Sequence, residues 1–149
     1  MRFASLKRMV FTLFALCMVC ACCLFVRGAY VCKLREIEGR RCFYLHSPSA
    51  WAERKERLGL QDIPHVQGES VHFSFQGTHE QTLALVLEIL KSYQAEIVCV
   101  EEACGVVSYY AHAPCLYTSV AVEGKQVNLH IAVGEGRAAV GSPMIFGGF

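Results

Sequence analysis

The chain has 149 residues, of which 54% are hydrophobic and 18% are charged, and its formal net charge is +1 at pH 7. Without an N-terminal apolar segment about 120 residues remain, enough for one domain with a single core. From Tyr30 onward ten basic residues minus thirteen acidic residues give a net charge of −3. An acidic domain gains nothing from the counterion release that drives nucleic-acid binding, so nucleic acid is not expected as a partner.

The first predicted element is an uncharged run from Met9 to Val26, preceded by Arg2, Lys7 and Arg8. A basic segment before an apolar run is typical of a secretory signal or an uncleaved membrane anchor, and a lipoprotein signal is a further alternative. A helix of this length extends roughly 27 Å, which matches the hydrocarbon core of a bilayer. Because basic residues favour the cytoplasmic side, we expect residues 1–28 to be the signal or anchor and the domain to lie outside the cell membrane or to be secreted.

Residues 30–68 predict a short lead-in of mixed structure. Extended pieces are expected on both sides of a turn at Gly39, because glycine favours turn conformations. A serine followed by proline predicts a short helix from Ser47 to Gly59. The stretch from Leu60 to Gly68 contains a proline and is expected to be a loop.

The main domain is predicted over residues 69–149 and opens with a strand and a helix. Glu69–Gln76 alternates apolar and polar residues, as a strand with one buried face does. Thr78-His-Glu-Gln81 is a capping box and predicts the start of a helix. The helical residues expected to face the sheet recur at i, i+3, i+4 and i+7. They are Leu83, Val86, Leu87 and Leu90.

Strands dominate the rest of the chain. A hairpin is predicted at Gly124-Lys125, a tight turn at Gly134–Gly136 and, because of Pro143, an edge position for the last strand. The predicted strands are 96–100, 105–113, 116–123, 126–133 and 138–146. A strand, a helix and then a run of strands predict an α+β fold, with one main helix on one face of an antiparallel sheet, plus the N-terminal hydrophobic helix.

Five of the nine cysteines lie outside the apolar run, and an odd number leaves at least one thiol without an intrachain partner. Cys32–Cys42 and Cys99–Cys104 are candidate disulfides of an oxidising compartment, and reduced, partly buried thiols are the alternative. No cysteine pair with zinc-site spacing occurs among these five residues, so we predict neither a metal nor another cofactor.

The polar side of the predicted sheet is the candidate binding face. A helix covers only one side of such a sheet, so the other side is either a solvated surface or a surface that binds a protein or a cell-envelope polymer. The candidate residues are Ser70, His72, Ser74, Gln76, Ser108, Tyr110, His112, Asn128 and His130.

No enzyme motif is present, and we expect a non-enzymatic protein. The alternative is a small hydrolase or thiol enzyme that uses Cys99, Cys104 or Cys115 as nucleophile with His112 or His130 as base. That alternative requires a cysteine sulfur within hydrogen-bond range of one of the two imidazoles.

Three C-terminal segments, in their order and spacing, resemble the YwmB family of spore-forming Firmicutes. They are Ser108-Tyr-Tyr-Ala-His-Ala-Pro114, Lys125-Gln-Val-Asn-Leu-His-Ile-Ala-Val133 and Val140-Gly-Ser-Pro-Met-Ile145. The resemblance covers residues 70–149, although the chain is shorter than the usual member and ends in Gly-Gly-Phe. It implies an envelope domain of unknown molecular role with a link to sporulation or the cell wall. The family's label "TATA-box binding" rests on fold likeness and implies, as a last alternative, a DNA-binding saddle, which needs a basic concave surface.

Overall fold

The computed structural model describes residues 2–31, 33–47 and 52–147, and within the first helix it describes the side chains of residues 9–23. The described residues form two α-helices, nine strands and a short 3-10 helix at Ile63–His65. In chain order the helices and strands are α1 (Arg2–Val31), β1 (Arg40–Leu45), β2 (Glu53–Lys55), β3 (Val66–Ser74), α2 (His79–Ser92), β4 (Glu96–Ala103), β5 (Val106–His112), β6 (Val120–Val122), β7 (Lys125–Val127), β8 (Leu129–Gly134) and β9 (Arg137–Ser142).

Seven strands form one antiparallel sheet in the order β2-β1-β3-β9-β8-β5-β4, and β6 pairs with β7 in a separate hairpin. The expected mixed fold with a large antiparallel sheet is confirmed. The edge position expected for the last strand is wrong, because β9 lies between β3 and β8. Pro143 follows β9 directly, so its missing N–H removes no hydrogen bond from the ladder.

α2 packs on one face of this sheet and begins as predicted, with a complete capping box between Thr78 and Gln81. The predicted buried stripe is only half right, because Leu83 and Leu87 are 39% and 62% exposed. This helix has apolar residues on more than one side, so the spacing of these residues does not single out the buried face. The stripe of α2 that packs in the core consists of Val86, Ile89 and Leu90, and Tyr93, directly after the helix, packs with them.

The core lies between α2 and the sheet. One row of core residues crosses four strands in register, from Val71 in β3 through Val140 in β9 and Ile131 in β8 to Tyr109 in β5. All four side chains are buried, and each apolar side chain of this size contributes about 1.5–3 kcal/mol to folding. The side of β3 predicted to face the core is therefore confirmed, since Val71 lies in the core and Phe73 and Phe75 pack against it.

The lead-in differs from its prediction. α1 continues to Val31, so no extended piece precedes Gly39 over the described residues up to that point. The helix expected from Ser47 to Gly59 is wrong over its described part, since Glu53–Lys55 forms β2 and pairs with β1. Residues 48–51 lie outside the described residues. A short helix is marginal on its own, and the open edge of β1 offers this segment backbone hydrogen bonds instead.

The described apolar side chains of α1 are exposed to solvent. All side chains of residues 9–23 are exposed, and Phe11 reaches 74%. Among the described residues, no helix combines the length and apolar character needed to cross a membrane.

Candidate functional site

The strand register places most of the predicted polar residues on the sheet face opposite α2. His72 in β3 lies opposite Ala139 in β9, and Ser70 lies opposite Gly141. Tyr110 in β5 lies opposite His130 in β8, which in turn lies opposite Gly141. Since residues paired across strands point to the same side, these polar side chains share one face. We call this surface the polar face.

The C-terminal segment after β9 covers the centre of the polar face. Ile145 packs on Ala132 and Ala139, and the Phe146 ring meets the Tyr44 ring edge-on at 5.4 Å. A Cβ atom at Gly141 would lie 2.7 Å from the Ile145 nitrogen, so glycine permits this close approach. The expectation that the whole face is open is therefore wrong at its centre.

Two side chains that were predicted to face outward, those of His130 and Asn128, are buried. His130 is 7% exposed, and burial lowers its pKa to about 4. Asn128 is fully buried and binds the loop after β5: its Oδ1 accepts from the Ala113 nitrogen at 2.6 Å. Its Nδ2 donates to the carbonyls of Ala113 and Leu116 at 2.8 and 2.7 Å. The geometry assigns Asn128 to loop closure rather than to ligand binding.

The other predicted residues divide between this covered region and its margin. Tyr110 is buried and stacks on His130. Ser108 is half-buried, and His112 is exposed at the end of β5. Gln76 is exposed beyond the end of β3 and lines a separate cleft of about 250 Å³.

At the other end of the polar face a chain of hydrogen bonds positions His72. The Tyr44 and Ser70 hydroxyls lie 2.9 Å apart, and the Ser70 hydroxyl lies 2.9 Å from His72 Nε2. Ser70 is fully buried, so it supports the imidazole and is not itself presented to a ligand. His72 is half-buried and reaches the open cleft beside it.

This cleft, which we call the arginine cleft, has a volume of about 540 Å³. Arg40, Arg54 and Arg137 line it together with His72 and Ser74. The register explains the meeting, because Arg40 pairs with His72 and Ser74 pairs with Arg137. The sequence prediction missed all three arginines. A basic residue in a strand does not reveal which strands become its neighbours.

The electrostatic environment of His72 reflects these arginines. Burial lowers the pKa of His72, and the positive charges of Arg54, Arg40 and Arg137 lower it further. Arg54 is held at one side, since its Nε donates to Cys42 Sγ at 3.2 Å. The cleft therefore combines a positive potential with side chains that are partly fixed in place.

The described cysteines outside α1 are free thiols: Cys42, Cys99, Cys104 and Cys115. The candidate bridge between Cys99 and Cys104 is not formed, and the candidate Cys32–Cys42 bridge involves a residue outside the described part of the chain. The Cys115 thiol donates to the Tyr93 carbonyl at 3.5 Å. Over the described residues, no hydrogen bond joins a cysteine sulfur to His112 or His130.

Comparisons of the chain with protein families, with curated proteins and with solved structures find no match.

Proposed function

We propose that this chain is a non-enzymatic recognition domain of the cell envelope that binds a protein or an envelope polymer through the open end of the polar face. The observation that carries the proposal is the arginine cleft. It is the part of the polar face where charged and polar side chains reach a volume of about 540 Å³, while the C-terminal segment covers the centre of that face. A cleft with convergent polar groups on a rigid sheet is the usual form of a binding site.

α1 supports the location of this domain. Its described side chains at residues 9–23 are exposed, and the uncharged run continues in the sequence to Val26. Exposed apolar surface on this scale is unfavourable in water and marks a site of interaction with a membrane or another apolar surface. With Arg2, Lys7 and Arg8 before the run, the proposed arrangement has the N-terminus in the cytoplasm and the domain outside, either anchored by the uncharged run from Met9 to Val26 or released after its removal.

The resemblance to the YwmB family belongs to the same proposal. It implies an envelope domain connected with sporulation or the cell wall. Its segments coincide with parts of β5, β7, β8 and β9, and three of these strands, β5, β8 and β9, contribute to the polar face.

The location can be tested by thiol labelling of the full chain in intact cells with a membrane-impermeant maleimide. Cys104 and Cys115 are exposed on the domain and should react from outside. Cys20 and Cys22 should react only after detergent is added, because lipid shields them. Labelling of Cys104 only after cell lysis would show that the domain is inside the cell and would reject the proposed location.

The binding surface can be tested by placing a photo-reactive amino acid at Ser74 in the exported full chain. Ser92 at the end of α2 is the matched control, because it is also an exposed serine but lies on the other side of the sheet. We expect a discrete adduct with an envelope component from position 74 and none from position 92. Equal adducts from both positions, or none from position 74, would contradict the proposed surface.

A further inference from the structure

We propose that the arginine cleft is a binding site for a multiply charged phosphate group, held by Arg40, Arg54 and Arg137. This inference rests on the proposed function and deepens it, because it names the chemical class that the same site recognises. The shared chemistry is a phosphate that carries more than one negative charge, whether it belongs to a soluble molecule or to a lipid headgroup.

The first argument is the convergence of positive charge in an acidic domain. Only ten basic residues follow Tyr30, against thirteen acidic residues. Three of those ten line this one cleft, on strands β1, β2 and β9, and all three are arginines. Like charges repel when they are brought together, so a folded domain gains from such a cluster when an anion neutralises it.

The second argument is that the contact of Arg40 with its carboxylate partner is weak. Arg40 Nη1 lies 3.8 Å from Glu56 Oε1, and the two side chains are 64% and 60% exposed. An exposed pair at this distance contributes little and is easily displaced by a ligand. Among the described residues, burial and then the positive charges of Arg54, Arg40 and Arg137 lower the pKa of His72.

The third argument is that the cleft is partly organised before a ligand arrives. Arg54 Nε is occupied by Cys42 Sγ, so the two Nη groups of the same guanidinium supply the donors for a ligand. The His72 ring is oriented by the Ser70 hydroxyl, which also contacts the Tyr44 hydroxyl. Donors that are fixed beforehand lose less conformational entropy on binding.

The fourth argument concerns the match between ligand and donors. The planar guanidinium fork fits the oxygens of a phosphate in a bidentate manner and carries a permanent charge. A single carboxylate brings one charge to three arginines, whereas a phosphate monoester or a diphosphate brings two or more. The volume of about 540 Å³ exceeds that of one phosphate and accommodates an attached group beside Ser74 and Ala138.

The test uses the full chain in a zwitterionic detergent and follows the His72 imidazole by NMR during titration with pyrophosphate. A bound anion stabilises the imidazolium, so we expect a saturable shift of the His72 signals and a rise in its pKa. A dissociation constant of about 1 mM or below is expected for this minimal probe. Acetate at the same concentration is the control for a general anion effect.

Variants locate the binding. Arg54→Gln and Arg137→Gln should each weaken pyrophosphate binding about tenfold or more, since each removes a charge-assisted contact. Arg54→Lys keeps the charge but loses the guanidinium fork, so its affinity for pyrophosphate should lie between those of the wild type and Arg54→Gln. Lys91→Gln removes the same charge from α2 on the opposite side of the sheet and should change nothing. The buried His130 signal reports whether each variant has kept its fold.

The sources are distinguished by competition. Mixed micelles with phosphatidic acid, a phosphate monoester, identify a lipid headgroup if they displace pyrophosphate from His72 where micelles with phosphatidylcholine do not. Absence of displacement identifies a soluble phosphate. The inference is overturned if His72 gives no saturable response to pyrophosphate, or if Lys91→Gln weakens binding as much as Arg54→Gln. In that case a specific crosslink from Ser74 would still support the proposed function with a ligand of another class.

Discussion

The imidazole of His130 stacks on the Tyr110 ring, with centroids 4.4 Å apart and planes inclined by 22°. Its Nδ1 accepts a hydrogen bond from the Ile145 nitrogen at 3.3 Å, which ties the C-terminal segment to the sheet. That bond requires a lone pair on Nδ1, so the folded protein holds His130 in its neutral form. Burial acts in the same direction and lowers the pKa of His130 to about 4.

Stability should therefore fall in acid before the carboxylates titrate. The unfolded chain takes up a proton on this histidine below pH 6.5, whereas the folded chain does so only near pH 4, so the stabilisation is full above pH 6.5 and is lost as the pH falls through 4. The loss amounts to about 3 kcal/mol in the free energy of unfolding. Urea unfolding between pH 7 and 4 measures this loss.

Variants test the assignment to His130. His130→Gln should remove most of the dependence of the free energy of unfolding on pH, whereas His112→Gln, at an exposed position, should leave that dependence unchanged. A pH dependence that His130→Gln does not alter contradicts the assignment.

The carboxylate partners of the neighbouring residues Arg41 and Arg40 should contribute very differently to the free energy of unfolding. The buried Glu69 carboxylate accepts from the Lys33 and Leu34 nitrogens and from Arg41 Nη1 at 2.6 Å. Glu69→Gln turns an amide donor towards one of these donors and should cost about 3 kcal/mol in urea unfolding. Glu56→Gln is the matched control, because the exposed contact with Arg40 should contribute less than about 0.5 kcal/mol. Equal losses of stability from Glu69→Gln and Glu56→Gln would contradict the stabilising role that we assign to the Glu69 carboxylate.

Asn128→Ala should destabilise the protein by about 3 kcal/mol, since it leaves one N–H and two carbonyls of the loop after β5 without their side-chain partner. Amide exchange at Ala113 should accelerate at the same time. Gln126→Ala removes a hydrogen bond with Ser119 on the exposed hairpin and should stay within about 0.5 kcal/mol. Unchanged exchange at Ala113 would argue against loop closure by Asn128.

The orientation of α2 can be checked with two leucines of one helix. Leu90→Ala removes a buried side chain and should cost about 2–5 kcal/mol. Leu87→Ala, at a residue that is 62% exposed, should cost less than about 1 kcal/mol. Chemical denaturation measures the loss of stability in both variants. A larger loss for Leu87→Ala than for Leu90→Ala would mean that the other face of α2 packs against the sheet.

Features that depend on near neighbours in the chain were predictable. The capping box between Thr78 and Gln81 starts α2, and the turns before β7 and β9 contain Gly124 and Gly136, whose φ angles of +78° and +72° favour glycine. The alternation in β3 correctly identified Val71 as a core residue. The segment that became β2 was misjudged, because its structure depends on the edge of β1 and not on its own short sequence.

The sequence by itself determined the start of the main helix, the long strands and the side of β3 that faces the core, since capping and a period of two act over a few residues. Only the tertiary structure decided that Asn128 and His130 are buried and that three distant arginines share one cleft. The period of a strand tells which side chains lie on the same face. It does not tell which strands become neighbours or which later segment folds over that face, because those contacts join residues far apart in the chain.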